Sequence, residues 1–246
     1  MTNIIKCENI EKNYKNFSLK SLSFNIEAGY LTGLIGVNGA GKTTLINILA
    51  GLDKNFKGIV NINGIDIKEN PEEAKQQIGV VSEKLSFFMD KTALENGLLL
   101  GKYFKNWSME NYYIWLDKMN IPKAQPLYQF SKGMKMKFQI SFAMGHSPKF
   151  LLLDEPAAGF DPVFRKDFLE MLQDILSEDI GILMSTHITS DLDKIADYII
   201  LLDNGEIKLN DTKESLEDNL KRKQMEDSLK QKFRIGDLLQ KSKEGK

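Results

Sequence analysis

Along the first third of the chain, short apolar–polar runs alternate with turn residues. Leu22-Ser23-Phe24-Asn25-Ile26 changes character at every position, the period of a strand with one buried face. Tyr30 to Ile35 is a mostly apolar run that closes on Gly36, and Ala40 to Gly51 sets Leu45, Ile48 and Leu49 at helical spacing. Gly58 to Gly64 alternates again, and its closing Asn63-Gly64 predicts a hairpin turn. From about Lys84 to Ser147 strand-like runs vanish, and Phe, Trp, Tyr, Met and Leu recur at helical spacings. This stretch predicts an inserted helical subdomain. Alternation then resumes, with strands at Phe150 to Leu153, Ile180 to Met184 and Tyr198 to Leu202, and a helix at Pro162 to Leu176. Strands alternating with helices predict an α/β fold around a mostly parallel sheet, and no internal repeat is visible.

Past Thr212 the pattern becomes polar and lysine-rich. Between Lys221 and Lys246 stand nine basic residues and four acidic ones. Leu216, Leu220, Met225, Leu229 and Phe233 would form a narrow apolar stripe if 217–246 is a helical tail. Such a stripe fits either a solvated helix or one that touches a partner or membrane surface.

Composition narrows the class. With 246 residues and 42% hydrophobic content the chain can bury a substantial core. A formal net charge of -1 gives no global attraction to nucleic acid or anionic membrane, so no nucleic-acid partner is expected. The single cysteine, Cys7, excludes an internal disulfide and fits a reducing compartment. The longest apolar runs, such as Tyr198 to Leu202, are far below the roughly 18 residues that a bilayer span needs. The first residues carry charge where a signal peptide needs its apolar stretch. The expectation is a cytoplasmic globular protein.

Gly36-Val37-Asn38-Gly39-Ala40-Gly41-Lys42-Thr43 matches the G-x-x-x-x-G-K-[ST] pattern of a phosphate-binding loop, and Thr44 follows it. The glycines let the backbone curl until successive N–H groups point inward at a β-phosphate, where side chains would block the approach. The following helix adds the positive end of its dipole. Lys42 is expected to reach the β- and γ-phosphates, and the Thr43 hydroxyl to ligate Mg²⁺. The pattern sits between a predicted strand and a predicted helix, as this chemistry requires.

Phe150-Leu151-Leu152-Leu153-Asp154-Glu155 is an apolar strand ending in two carboxylates. Parallel to the strand feeding the loop, it would bring Asp154 to the Mg²⁺ and point Glu155 toward the γ-phosphate. There a carboxylate can polarise an attacking water.

With these motifs the chain resembles the nucleotide-binding subunit of ATP-binding cassette (ABC) transporters over roughly Ile4 to Leu216. The resemblance implies ATP and Mg²⁺ as ligands. It also implies a phosphate-loop NTPase core with an N-terminal antiparallel β part and a helical subdomain at about 84–147, all within an ATPase domain spanning 1–216. Where the family usually carries Leu-Ser-Gly-Gly-Gln, this chain has Phe130-Ser131-Lys132-Gly133-Met134. Ser131 and Gly133 are kept, and the resemblance assigns them to the γ-phosphate of ATP bound by the other subunit. Read alone, Ser-Lys-Gly is an ordinary helix N-terminus.

The same resemblance places Tyr14 against adenine, Asp161 of Ala158-Gly159-Phe160-Asp161-Pro162 across a dimer interface, and His187 on the γ-phosphate. Asp161 before Pro162 is equally a helix cap. Glu83 occupies a position usually held by glutamine; a carboxylate there still suits Mg²⁺ but adds negative charge beside the phosphates. The family works as a head-to-tail dimer, so a homodimer, or a pair with a similar ATPase, is implied. So are a separate transmembrane permease subunit and attachment through it to the inner face of the membrane. Lys84 to Tyr103 is the region that would meet the permease. Departures at the signature resemble small bacterial exporters of drugs and antimicrobial peptides; an importer or a soluble iron–sulfur assembly ATPase are the alternatives.

Overall fold

A computed structural model describes residues 4–82 and 86–218. Strand β1 (Ile4–Asn13) opens the chain and β2 (Ser18–Glu27) returns antiparallel to it, with Leu22, Phe24 and Ile26 of β2 alternating inward. The fully buried β3 (Leu31–Ile35) leads through the glycine-rich turn into helix α1 (Lys42–Leu49). That helix starts two residues later than apolar spacing predicts. Gly39 and Gly41 take φ of 85° and 111°, which spends Ala40 and Gly41 on the curled loop. Next come β4 (Lys57–Ile62) and the short β5 (Ile65–Asp66), joined by Asn63 and Gly64. Both turn residues have positive φ, as the predicted tight hairpin needs.

Helix α2 (Pro71–Gln76) and β6 (Ile78–Ser82) follow. The stretch between β6 and the next strand contributes α3 (Ala93–Leu100), α4 (Met109–Lys118) and α5 (Lys132–Met144), matching the aromatic-rich helical spacing. Then β7 (Phe150–Asp154), α6 (Pro162–Leu176), β8 (Gly181–Thr186), α7 (Thr189–Ile195), β9 (Tyr198–Asp203) and β10 (Glu206–Thr212) complete the described chain.

Two sheets result. One has the order β2-β1-β4-β5 and is antiparallel; the other has the order β10-β9-β3-β8-β7-β6 and is parallel except at its β10 edge. Strands buried on both faces alternate their side chains between two cores. Leu151 and Leu153 of β7 join Phe138, Phe168 and Leu172 on the helical side. Phe150 and Leu152 join Leu45 and Ile48 of α1 and Ile5 and Ile26 of the antiparallel sheet on the other. This sandwiching of α1 between the two sheets fixes the loop in front of it. The mostly parallel α/β core with its antiparallel β part is therefore present as the sequence suggests. Strands β1, β6 and β10 and the short helices α2 and α7 are added to it.

Leu216 is buried in the helical-side core, while residues 219–246, with most of the proposed tail stripe, lie outside the described residues. His146 lies two residues past α5. It is buried and stacked on Phe104 at 4.1 Å and 11°, and burial lowers its pKa to about 4.

Candidate functional site

The parallel sheet brings the carboxyl ends of β3, β7 and β8 side by side, since Ile35 pairs with Thr186 and Asp154 with Ser185. In open α/β sheets ligands bind at this edge. The glycine-rich turn leaves β3 here. A Cβ on Gly36 would come within 2.4 Å of the Leu202 carbonyl oxygen, so the turn tolerates no side chain there. One on Gly41 would collide with Leu19 and Phe17, which pack against the loop from β2 and the turn before it. Asn38 and Gly39 form the exposed tip, and Ala40 N donates to the Val37 carbonyl at 3.1 Å to close it.

Lys42, buried in the first turn of α1, folds back so that Nζ donates to the Gly36 carbonyl at 2.8 Å and sits 3.2 Å from Glu155 Oε1. The other oxygen of Glu155, Oε2, is 2.8 Å from His187 Nδ1. One carboxylate thus bridges the loop lysine and the histidine after β8. Glu155 adopts φ 49°, a region that non-glycine residues enter at a cost. Its N–H donates to Ser185 Oγ at 3.0 Å, and Ser185 Oγ–H donates in turn to Asp154 Oδ1 at 2.7 Å. Ser185 therefore fixes both neighbouring carboxylates, one through its side chain and the other through its backbone.

Thr43 Oγ1 also donates to Asp154 Oδ1, at 3.3 Å. A hydroxyl and a carboxylate oxygen facing one spot form the hard-oxygen donor pair that suits Mg²⁺ shared with phosphate oxygens. Thr44 is half-buried in the same first turn of α1. The structure thus gathers Lys42, Thr43, Asp154, Glu155 and His187 at one place. Glu83 lies outside the described residues. Sequence reasoning gave no role to Ser185; its only signal was a polar side chain inside the apolar run of β8.

Ser131, Gly133 and Asp161 lie elsewhere, on α5 and α6. Ser131 Oγ accepts from Met134 N at 3.2 Å and caps α5, and Asp161 Oδ1 accepts from Val163 and Phe164 N–H at 3.0 Å and caps α6. The ordinary cap readings are thus satisfied. Gly133 has a packing reason too, because a Cβ there would meet the Phe164 ring at 2.5 Å. A cleft of about 440 Å³ separates the start of α5 from the carboxylates, with Lys132, Gln139, Ser82, Asp154 and Glu155 among its walls.

Tyr14, in the β1–β2 turn, is half exposed. Its hydroxyl donates to Asp53 Oδ2 at 3.2 Å, and the Lys12 ammonium lies over its ring, 4.9 Å from the centroid. Of the apolar residues between Lys84 and Tyr103, Phe87 packs on Phe138 and Phe142, while Phe88 and Met89 are exposed. Leu85 is outside the described residues. A second groove of about 300 Å³ runs between the sheet core and the helical stretch, lined by Leu52, Ile78, Phe87, Leu100, Tyr103 and His146 among others.

A family model described as "ABC transporter" matches residues 19–158, from β2 through the carboxylates of β7. The chain belongs to this family. Members of the ABC family bind and hydrolyse ATP, so this ABC protein is an ATPase. The linearmycin resistance ATP-binding protein LnrL of Bacillus subtilis (strain 168) is 31% identical over 222 residues, covering 87% of this chain and 70% of that protein. The lantibiotic transport ATP-binding protein SrtF of Streptococcus pyogenes is 33% identical, with 87% of this chain and 95% of that protein covered. Among solved structures, the ATP-binding subunit of an ABC transporter superposes with a TM-score of 0.79 at 27% identity. That superposition covers 89% of this ABC chain and 93% of the solved one.

Proposed function

We propose that this ABC ATPase drives a membrane exporter by closing, around ATP, onto a second cassette. The observation that carries the reading is the Glu155 carboxylate, held between Lys42 at 3.2 Å and His187 at 2.8 Å. In this reading the loop N–H groups of Gly39 to Thr43 cradle the phosphates, and Lys42 leaves the Gly36 carbonyl to reach the β- and γ-oxygens. Thr43 and Asp154, with Glu83, would hold Mg²⁺, whose charge offsets that of the phosphates. Glu155 orients and polarises the attacking water, and His187 donates to the γ-phosphate. Tyr14 forms a wall for adenine.

Ser131 and Gly133 lie away from the loop of their own chain. They and Asp161 serve ATP held by a second cassette, either another copy of this chain or a similar ATPase. The exposed N-terminus of α5, whose first-turn N–H groups would suit a phosphate, supports this arrangement.

Among the described residues no helix is long and apolar enough to cross a membrane. Transport therefore rests on a separate permease subunit, which would bring this protein to the inner face of the membrane. Its docking place in this reading is the groove between Leu52 and Tyr103. Both residues are exposed large hydrophobics, one on each side of the groove. Export is favoured over import because LnrL is named for linearmycin resistance and SrtF for lantibiotic transport.

Co-expression with a multi-span membrane protein, sought among the products of neighbouring reading frames, tests the reading. The two proteins are expected to purify together with stimulated ATPase activity. Leu52→Asp and Tyr103→Asp should abolish association while leaving ATP binding intact. Absence of association, or groove variants that associate as the wild type does, would contradict it.

A further inference from the structure

Asp53, in the loop after α1, holds a small polar cluster under the β1–β2 turn. Its Oδ1 accepts from Lys12 Nζ at 2.8 Å and from Asn55 N–H at 3.1 Å, and its Oδ2 accepts from the Tyr14 hydroxyl at 3.2 Å. Lys12 Nζ donates in addition to the Asn55 carbonyl at 2.7 Å. Lys12 is only 7% exposed, which is rare for a lysine and tolerable only with such partners. Burial alone would raise the Asp53 carboxyl. The hydrogen bonds from Lys12, Asn55 and Tyr14 and the Lys12 charge outweigh it and leave the group below the usual carboxylate value.

The geometry of the ring gives this cluster a purpose. The Lys12 ammonium covers one face of Tyr14, within the range of a cation–π contact, while the side chain as a whole remains 49% exposed. Tyr14 N–H donates to the Phe17 carbonyl at 2.7 Å, and the Phe17 ring lies 6.4 Å from that of Tyr14 and against Gly41 of the phosphate loop. Tyr14 therefore stands one ring away from the loop, pinned at its backbone, at its hydroxyl and on one face. An untethered tyrosine at a half-exposed turn would sample several rotamers and lose them on binding a base.

We propose that Asp53 and Lys12 are positioning residues that hold the Tyr14 ring in place, one face closed by the ammonium and the other presented to a purine base. The proposal rests on the reading of Tyr14 as a wall of the adenine site. Asp53 and Lys12 touch no nucleotide themselves in this arrangement; they act through the ring, and so affect ligands that carry a base.

Calorimetric titration of the full chain, with MgATP and with magnesium tripolyphosphate, tests this. Tyr14→Phe keeps the ring and removes only the tether. It should weaken ATP binding about threefold to tenfold and leave tripolyphosphate within about twofold. Asp53→Ala should do the same. The double variant should bind ATP within about twofold of the weaker single variant, because the Tyr14–Asp53 bond is lost in both. Tyr14→Ala should show the largest loss for ATP alone. ATP affinity unchanged in Tyr14→Phe and Asp53→Ala but weakened in Tyr14→Ala would overturn the positioning role and leave the base wall standing. No loss in Tyr14→Ala would overturn both. Equal weakening of ATP and tripolyphosphate in Tyr14→Phe, with an unchanged melting temperature, would also overturn it, since the tether would then act on the phosphate loop.

Discussion

His187 Nδ1 lies 2.8 Å from Glu155 Oε2, joining the residue after β8 to the residue after β7 across two paired strands. The contact aligns the imidazole and the carboxylate with each other. Under the proposed roles, His187→Ala removes a donor that matters most when charge builds on the transferred phosphoryl group. Turnover should fall by about a hundredfold while the Kd for ATP stays within about threefold. Steady-state ATPase assays beside equilibrium binding give the comparison.

Ser185 organises the carboxylates from behind. Ser185→Ala removes the 2.7 Å bond to Asp154 and the 3.0 Å bond from Glu155 N–H. Stability should fall by about 1–2 kcal/mol, and a freer Asp154 should raise the magnesium concentration needed for half-maximal turnover. Urea denaturation and a magnesium titration of activity measure the two effects separately.

Gly133 separates packing from chemistry. Gly133→Ala drives a methyl group into the Phe164 ring, itself stacked edge-on against Phe160 at 4.7 Å. A loss of about 1–2 kcal/mol is expected from the overpacking. Phe164→Leu in the same chain should recover most of the stability. Activity should stay low in the double variant, because the proposed approach of Gly133 to a second cassette's ATP needs the missing Cβ as well.

His146 makes stability pH-dependent. The imidazole titrates near 6.5 when unperturbed and at about 4 in the folded protein, because burial disfavours its charge. Below about pH 6.5 the unfolded chain thus takes up a proton that the folded one refuses. The neutral histidine's contribution is complete above pH 6.5 and is lost as pH falls through the window down to about 4, by on the order of 3 kcal/mol. His146→Gln should remove that slope, so the stability gap between the two proteins narrows from pH 7 to pH 4.5 in chemical denaturation.

Legibility in the sequence follows how local each constraint is. The phosphate loop is readable because curling a backbone around a phosphate needs glycine at fixed spacing, and Gly36, Gly39 and Gly41 meet that need within eight residues. Asp154 and Glu155 are readable because an apolar strand ending in acids has one plausible place in a parallel sheet. Ser185 and Asp53 are not readable in this way. Their partners lie 31 and 41 residues away, and only the sheet register or the β1–β2 turn brings them together. The short helices α2 and α7, of six and seven residues, offer too few turns for apolar periodicity to register. Strand β10 is a half-exposed edge without a clean alternation. Asp161 and Ser131 show the opposite limit. Both sequence readings, helix cap and trans-acting ligand, predict the same local geometry, and that geometry is present.

The central claim is that Glu155 activates water at an ATP site completed by a second cassette. Light scattering of Glu155→Gln with MgATP tests it most directly. Hydrolysis should be lost with ATP still bound, and the protein should move from the 28.0 kDa of one chain to twice that mass. Glu155→Gln that binds MgATP and stays at the mass of one chain, or that hydrolyses ATP as the wild type does, would contradict the account.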